Sequence, residues 1–385
     1  MKIAIQAADL DCSRIDGTRV YIKNMLRFFG RLDKSSRFLI YHKKNFNSQL
    51  APPNFSNYKI ISQNSPFFWT QTRFCFSLLK EKLDVLWMPM HNVPYLAVKK
   101  IRTFVTIHDL AFKYFPEMFS FSELGKLNFL TSMAIEKSYK IITISQSSKG
   151  DILKFYPQVK AEKIKVISHG FDKGIYGEDK NLKEEENIKS KFKIGGKYIL
   201  YLGALQPRKN LEILIEAFEK IKNREVHFCR GENIKNDFGK DLKLVLAGEK
   251  AWLWKNIFER IKKSHYAKDI ITPGKINFSD VGNLMRGAEV FCFPSLYEGF
   301  GLPILEAMSA GVPVVTSFNS SLPEVAGEAA LYFNGYNAEE LKEKLESVLK
   351  DSVLRKELVE KGKKQVEKFS WEKCAQETLN FLKEG

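Results

Sequence analysis

The stretch EVFCFPSLYEGFGLPILEAMSAGVPVVTS, residues 289–317, decides how the chain is read. Its apolar run from Val290 to Phe293 predicts a fully buried strand. Pro294-Ser295 break that run into a loop carrying Glu298-Gly299-Phe300-Gly301, and a short helix restarts with Pro303 in its first turn. Gly311 falls where a helix C-cap is expected, and VPVVTS is the next buried strand. Two glycines ahead of a helix N-terminus leave backbone N–H groups approachable, and the helix dipole favours an anion there. Glu298 lies in the loop. Glu306 follows about one turn into the helix, where its carboxylate can accept hydrogen bonds from vicinal hydroxyls. Amides for phosphate and carboxylates for hydroxyls imply a pocket for a sugar nucleotide.

Outward from this stretch, strands and helices alternate. YILYLGA (198–204) and KLVLAGE (243–249) read as strands, with helices at Asn210 to Lys222 and Trp252 to Ser264. DIITPG follows, then a helix expected to be capped by Ser279; polar helices close the chain, the last capped by Ser370. Residues 223–242 are too long for a simple helix-to-strand connection and read as an insertion. In the first half the strand candidates are KIAIQA, RFLIYH, YKIIS, DVLWMP, TFVTIHD, KIITIS and KVIS. Helices fit between them, clearest at Val20 to Leu32 and at Ser122 to Tyr139, with Ser122 as N-cap.

This alternation predicts an α/β protein of two doubly wound, Rossmann-like domains. The expected division is an acceptor-side domain over 1–172, a charged connection over 173–197, a donor domain over 198–369, and a C-terminal helix over 370–385 that can pack back on the first domain. Ligands of such sheets bind at the carboxyl ends of the strands, which puts His108-Asp109 and Ser145 on one rim. Two facing domains predict a ligand cleft between them.

Composition bounds the rest. The 385 residues suffice for two cores, and 44% apolar with 28% charged residues is ordinary for a soluble globular protein. Cys12, Cys75, Cys229, Cys292 and Cys374 form no CxxC pair, which predicts thiols in a reducing compartment. MKIAIQAADL opens as a strand with no signal-peptide layout, and no apolar run reaches the ~18 residues of a membrane span, so a cytoplasmic location is expected. The net charge of +16 is uneven: residues 1–175 hold 27 Lys and Arg against 13 Asp and Glu, while the remainder is nearly balanced. An anionic partner for the first half is one reading, whether a phospholipid surface, a lipid-diphosphate acceptor or nucleic acid; a lysine-rich soluble background is the other.

GALQPRKNLEILIEAF, PSLYEGFGLPILEAMSAGVPVVTS and SSLPEVAGEAALYF, with VTIHDLAFKYFPEMFS and ITISQSSKGDI in the first half, together resemble the retaining nucleotide-sugar glycosyltransferases of GT-B fold (glycosyl transferases group 1, family 4). The E-x7-E signature of that family is present as Glu298 and Glu306. The resemblance implies that Glu306 accepts hydrogen bonds from the ribose hydroxyls and that Glu298 sits beside the donor sugar. It further implies that Gly299, Phe300, Gly301 and Leu302 offer contacts to sugar and phosphate, that Arg208 and Lys209 neutralise the diphosphate, and that His108 reaches the donor sugar. Gly203 and Gly17 match glycines near the phosphates. Ala204 stands where many relatives have Arg, a charge Arg208 can supply, and the first loop, DGTRVY, is one glycine poorer than the usual pattern. The implied reaction needs no metal, uses a GDP- or UDP-sugar, and moves a mannose- or glucose-type hexose to a polysaccharide or lipid-linked glycan, as in lipopolysaccharide synthesis, with peripheral membrane contact.

Each residue also has a plainer reading. Glu306 could be a first-turn carboxylate favoured by the helix dipole, and His108-Asp109 a local turn pairing. His91 and His169 read as structural, Ser145 and Ser148 as helix caps, and Phe67-Phe68-Trp69 as core or helix entry rather than a membrane foot. Asp9 and Asp11 form a literal D-x-D, a metal signature in another glycosyltransferase fold. Arg208-Lys209 before a helix opposes its dipole unless an anion is present. Competing functions are a nucleotide-sugar epimerase of the same fold and a basic nucleic-acid binder; no G-x-G-x-x-G follows a strand, which argues against a dinucleotide-dependent dehydrogenase.

Overall fold

The apolar runs of the first half pair in parallel into one sheet, those of the second half into another. In the computed structural model, the residues described are 1–65, 67–172, 174, 182–223 and 241–384. The insertion expected at 223–242 lies almost wholly outside them, as do Cys229 and positions 173 and 175–181 of the charged connection, whose remainder carries the helix Leu182–Lys191. Two compact units emerge, one of Met1–Gly170 with Phe369–Gly385, the other of Phe171–Lys368.

The first unit holds β1 (Lys2–Gln6), β2 (Arg37–His42), β3 (Tyr58–Ser62), β4 (Val85–Met88), β5 (Arg102–Ile107), β6 (Lys140–Thr143) and β7 (Ile164–Val166), in the order β3-β2-β1-β4-β5-β6-β7. The strand order reverses between β1 and β4, so the loops leaving those two strands diverge and open a crevice at their carboxyl ends. Strands buried on both faces read as unbroken apolar runs, and Trp87, Phe38 and Phe104 are fully enclosed. The helix Trp371–Lys383 belongs here: it packs on Gly17–Leu32, burying Cys374, Leu379 and Leu382, with the Phe381 ring 5.4 Å from that of Phe104. Gly170 permits this approach, because a Cβ there would lie 2.0 Å from the Trp371 nitrogen.

The second unit holds β8 (Tyr198–Leu202), β9 (Lys243–Ala247), β10 (Ile270–Gly274), β11 (Val290–Phe293), β12 (Val314–Ser317) and β13 (Ala330–Phe333), in the order β10-β9-β8-β11-β12-β13. Here the order reverses between β8 and β11. The loops leaving those strands carry GALQPRKN and PSLYEGFG.

Helix boundaries differ from the sequence expectation where caps compete. Ser120, not Ser122, caps Phe121–Lys137, because only Ser120 stands three residues before an acid and closes a reciprocal capping box with Glu123. The helix expected to be capped by Ser279 instead runs Phe278–Arg286 with Asn277 in the cap position, which places Ser279 inside the first turn. Trp252 and Leu253 lie outside their helix, Trp254–Lys262, since Leu253 takes a left-handed backbone (φ 53°). Ser370 and Ser145 cap as expected, accepting from the amides of Lys373 and Ser148.

Candidate active site

In the second unit the helix Leu302–Ser309 begins at Gly301, whose φ of 121° is a conformation that side chains resist. A Cβ there would also stand 3.0 Å from Leu322 Cδ2. Pro303 occupies the first turn. At the far end Gly311 (φ 70°) donates to Met308 O and Val312 to Ala307 O, the paired bonds of a Schellman cap. The helix is therefore fixed at both ends by the glycines the sequence singles out. Glu306, half-buried, lies on it one turn in.

Glu298 in the preceding loop is almost fully buried. Its carboxylate is held by both cations of the loop after β8: Lys209 Nζ pairs with Oε1, and an Arg208 guanidinium nitrogen lies 3.1 Å from Oε2. Arg208 also donates to the Tyr297 carbonyl, and Leu296 N donates to Arg208 O at 3.0 Å, which stitches the two loops together. Burial alone would raise the Glu298 carboxyl, but the Lys209 and Arg208 charges and their hydrogen bonds outweigh it and hold it down to about 2. The anion that Arg208-Lys209 require is thus supplied by the chain itself. The sequence assigned that place to the ligand, and the adjacency of β8 and β11, which brings residues about ninety positions apart together, was not visible in it.

Two further residues sequence reasoning passed over brace this loop. Ser320 Oγ accepts from the Glu298 amide at 2.9 Å, and the Ser321 hydroxyl shares its one proton between the carbonyls of Glu298 and Phe300, at 2.9 and 2.7 Å. Both sit in the SSLPEVAG segment, whose serine pair was the available signal. Phe300 and Leu302 flank Gly301, the first buried and the second half-buried.

Gly203 follows β8, and its amide already donates to Ala247 O at 2.9 Å. It serves close packing: a Cβ on the neighbouring Gly248 would meet the Gly203 oxygen at 1.9 Å. That crowding borders a cavity of about 440 Å³ at the carboxyl ends of β8, β9 and β10, lined by Leu205, Lys250, Phe258, Thr272 and Gly274 among others. No sequence expectation pointed here, although a glycine at the ends of β9 and β10 was a readable sign.

In the first unit, His108 leaves β5 and its Nε2 lies 2.9 Å from the Pro89 carbonyl. Burial lowers its basicity, so the neutral ring donates through Nε2 and keeps Nδ1 as an acceptor. The Tyr21 ring packs edge-on at 5.2 Å, and Ser148 Oγ donates to the His108 carbonyl at 3.1 Å. His169 is buried and His91 half-buried, and desolvation depresses both. Gly17 opens the helix Gly17–Leu32 after β1, with Asp16 as N-cap accepting from the Arg19 amide. The D-x-D makes structural bonds at both positions: Asp11 accepts from the amides of Lys43 and Lys44 and from His42, and Asp9 accepts from Gln6 Nε2 at 3.1 Å. Among the described residues no group of three His, Cys, Asp or Glu is placed to hold a metal, and no helix is long and apolar enough to cross a membrane.

Residues 183–365 match the family model described as glycosyl transferases group 1. The O-antigen chain mannosyltransferase B of Escherichia coli is 28% identical over 290 residues, covering 75% of this chain and 72% of that protein. The serotype-specific mannosyltransferase WbdA of Escherichia coli is 28% identical over 295 residues, so the match covers 75% of this chain and about a third of that longer protein (33%). The crystal structure of Anabaena Alr3699/HepE in complex with UDP and glucose superposes with a TM-score of 0.74 at 17% identity, over 99% of both chains.

Proposed function

Since the chain is a glycosyltransferase of GT-B fold carrying a glycosyl transferases group 1 domain, we propose that it transfers a mannose- or glucose-type hexose from a GDP- or UDP-sugar to a glycan of the O-antigen or lipopolysaccharide kind, with retention. The observation that carries this reading is the cluster of Arg208, Lys209 and Glu298 at the point where the second sheet reverses, next to a helix start kept open by Gly301. The epimerase and nucleic-acid readings give way to the transferase.

In this reading the donor diphosphate competes with Glu298 for the two cations. Arg208 and Lys209 then take up the charge that grows on phosphate oxygen as the anomeric bond breaks, the place a metal occupies in other transferases. Glu298, released, turns to the sugar, with Gly299, Phe300 and Leu302 around it. Glu306 holds the ribose hydroxyls, and the base goes to the cavity beside Phe258 and Gly274. The acceptor hydroxyl attacks from the face the diphosphate leaves. The bonding pair of the broken C–O bond goes to the diphosphate, the acceptor oxygen bonds the anomeric carbon, and the acceptor's proton passes to the departing phosphate. The basic first half suits a protein working at the cytoplasmic face of a membrane.

The test is calorimetric. Glu306→Ala should weaken GDP or UDP binding by about 1.5–3 kcal/mol, the scale of hydrogen bonds to a charged group. Unchanged affinity for both nucleotides would remove the ribose assignment and with it the proposed pose.

A further inference from the structure

The second unit has a concavity at the other end of its sheet. The donor reading uses the carboxyl ends of the parallel strands. This cavity opens at the amino ends, where Ala288-Glu289 lead into β11 and Pro313 leads into β12. Its volume is about 750 Å³, within the range of small-molecule sites. One wall is the helix Ser352–Val366, which lines it with two adjacent rows at helical spacing: Arg355, Val359 and Lys363, then Ser352, Lys356 and Glu360. Another is Glu185 and Lys189 on the helix Leu182–Lys191, which is tied to Phe278–Arg286 by Lys191–Asp280 at 2.6 Å and by Asn283 Nδ2 donating to Glu184 at 3.1 Å. Two helix ends complete the lining, Phe278–Arg286 at Gly287 and Leu302–Ser309 at Ala310-Gly311.

Charge indicates what fits. Lys189, Arg286, Arg355, Lys356 and Lys363 line the cavity against three acids, Glu185, Glu289 and Glu360. The half of the chain that holds it is nearly balanced, so this excess is local. Two of the acids are already engaged, Glu289 by Arg355 and Glu360 by Lys363 at 2.9 Å. Cations gathered on one concave surface focus a field that attracts an anion, and Arg and Lys hold phosphate oxygens through charge-assisted hydrogen bonds. The lining also offers acceptors, because carboxylates stand among the cations and helix C-termini end in carbonyls without intrahelical partners. Cations for a phosphate beside acceptors for hydroxyls describe a phosphorylated sugar better than a bare anion or a neutral sugar.

One helix joins this cavity to the candidate active site. Leu302–Ser309 starts at Gly301, carries Glu306, and runs out at Ala310-Gly311 in the cavity lining. Ser352–Val366 packs along it closely: a Cβ on buried Gly362 would stand 3.2 Å from Met308 Cγ, and one on Gly311 3.9 Å from Val359 Cγ1. Close-packed helices transmit a displacement instead of absorbing it. A ligand that engages Arg355 and Lys356 above Gly311 therefore bears on both helices at once.

We propose that this cavity is an effector site for a phosphorylated sugar, and that its occupancy changes nucleotide affinity through the helix Leu302–Ser309. The proposal rests on the transferase reading for where the nucleotide binds, and on the cavity's own lining for the effector.

Glucose 6-phosphate is the probe, titrated calorimetrically into the full chain with the donor site saturated by GDP or UDP; inorganic phosphate and glucose are its two halves. Glucose 6-phosphate should bind about tenfold tighter than either half, or more. Lys356→Glu, at an exposed position, should weaken it by about the same factor, while Lys364→Glu, exposed on the same helix but outside the lining, should leave it unchanged. Saturating glucose 6-phosphate should shift the Kd of the nucleotide about fivefold, and the nucleotide should shift the Kd of glucose 6-phosphate by the same factor. Absence of binding, inorganic phosphate binding as tightly, equal weakening by the two lysine variants, or a nucleotide Kd that glucose 6-phosphate leaves unmoved would each overturn the proposal. Glucose 6-phosphate binding that follows Lys356 in a protein with no affinity for GDP or UDP would uphold the sugar-phosphate site and reject the donor reading.

Discussion

Glu298 is a buried carboxylate that stays charged because two cations face it, and its environment makes its contribution to stability depend on pH. Its carboxyl is depressed from 4.5 to about 2 in the folded chain. Between those values the unfolded chain binds a proton that the folded chain does not, so the stabilisation is complete above about pH 4.5 and is lost as pH falls toward 2. Glu298→Gln should therefore lose stability less steeply than the wild type over that window in acid titrations followed by circular dichroism. At neutral pH the same variant leaves Lys209 and Arg208 without their carboxylate, and breaking such a pair costs about 3–5 kcal/mol. A nucleoside diphosphate should restore much of that loss in Glu298→Gln, because the ligand then supplies the missing anion. A thermal-shift series with GDP and UDP checks this, and an equal shift in wild type and variant would show that the cations do not meet the diphosphate. Arg208→Ala and Lys209→Ala separate the remaining roles. If the cations stabilise the leaving group, each should lower kcat more than it raises KM; equal effects on both would make them ground-state anchors.

At the scale of elements, the two glycines of the Leu302–Ser309 helix give contrasting expectations. Gly301→Ala forces a side chain into φ 121° and against Leu322, and should cost about 1–3 kcal/mol and also weaken nucleotide binding by displacing the helix start. Gly311→Ala meets only Val359 Cγ1 at an ordinary 3.9 Å, so it should cost about 1 kcal/mol through its φ of 70° alone and leave nucleotide affinity as it was. Denaturant unfolding with parallel titration distinguishes them. Such features are legible in sequence because they are local: strand, glycine, helix and Schellman cap occupy under thirty consecutive residues. The cap of Phe121–Lys137 was misread as Ser122, although Ser120 and Glu123 have the capping-box spacing that Ser122 lacks. The pairing of Glu298 with Arg208 and Lys209 was not legible, because it depends on which strand lies beside which. The cavity beside Phe258 was hidden for the same reason, its walls coming from three strand ends.

At the scale of the whole molecule, the chain crosses from the second unit back to the first at Phe369, so the last helix stabilises the unit furthest from it in sequence. That helix buries Trp371, Cys374, Leu379, Phe381 and Leu382, and its ends are pinned to the first unit by Arg31–Glu372 at 2.7 Å and Lys383–Asp33 at 2.9 Å. The exposed pair Arg31–Glu372 adds little; the apolar burial carries the attachment. Ending the chain at Ser370 should therefore unfold the first unit and leave the second intact. Scanning calorimetry of the wild type should resolve two transitions, of which only one rises when GDP or UDP is added, because a ligand stabilises the unit that binds it by about 2.7 kcal/mol at a hundredfold excess over Kd. In the truncated chain the ligand-sensitive transition should persist at its wild-type position and the other should vanish. If truncation abolishes the ligand-sensitive transition as well, the two units fold as one cooperative body, and the donor site depends on a helix of the other unit.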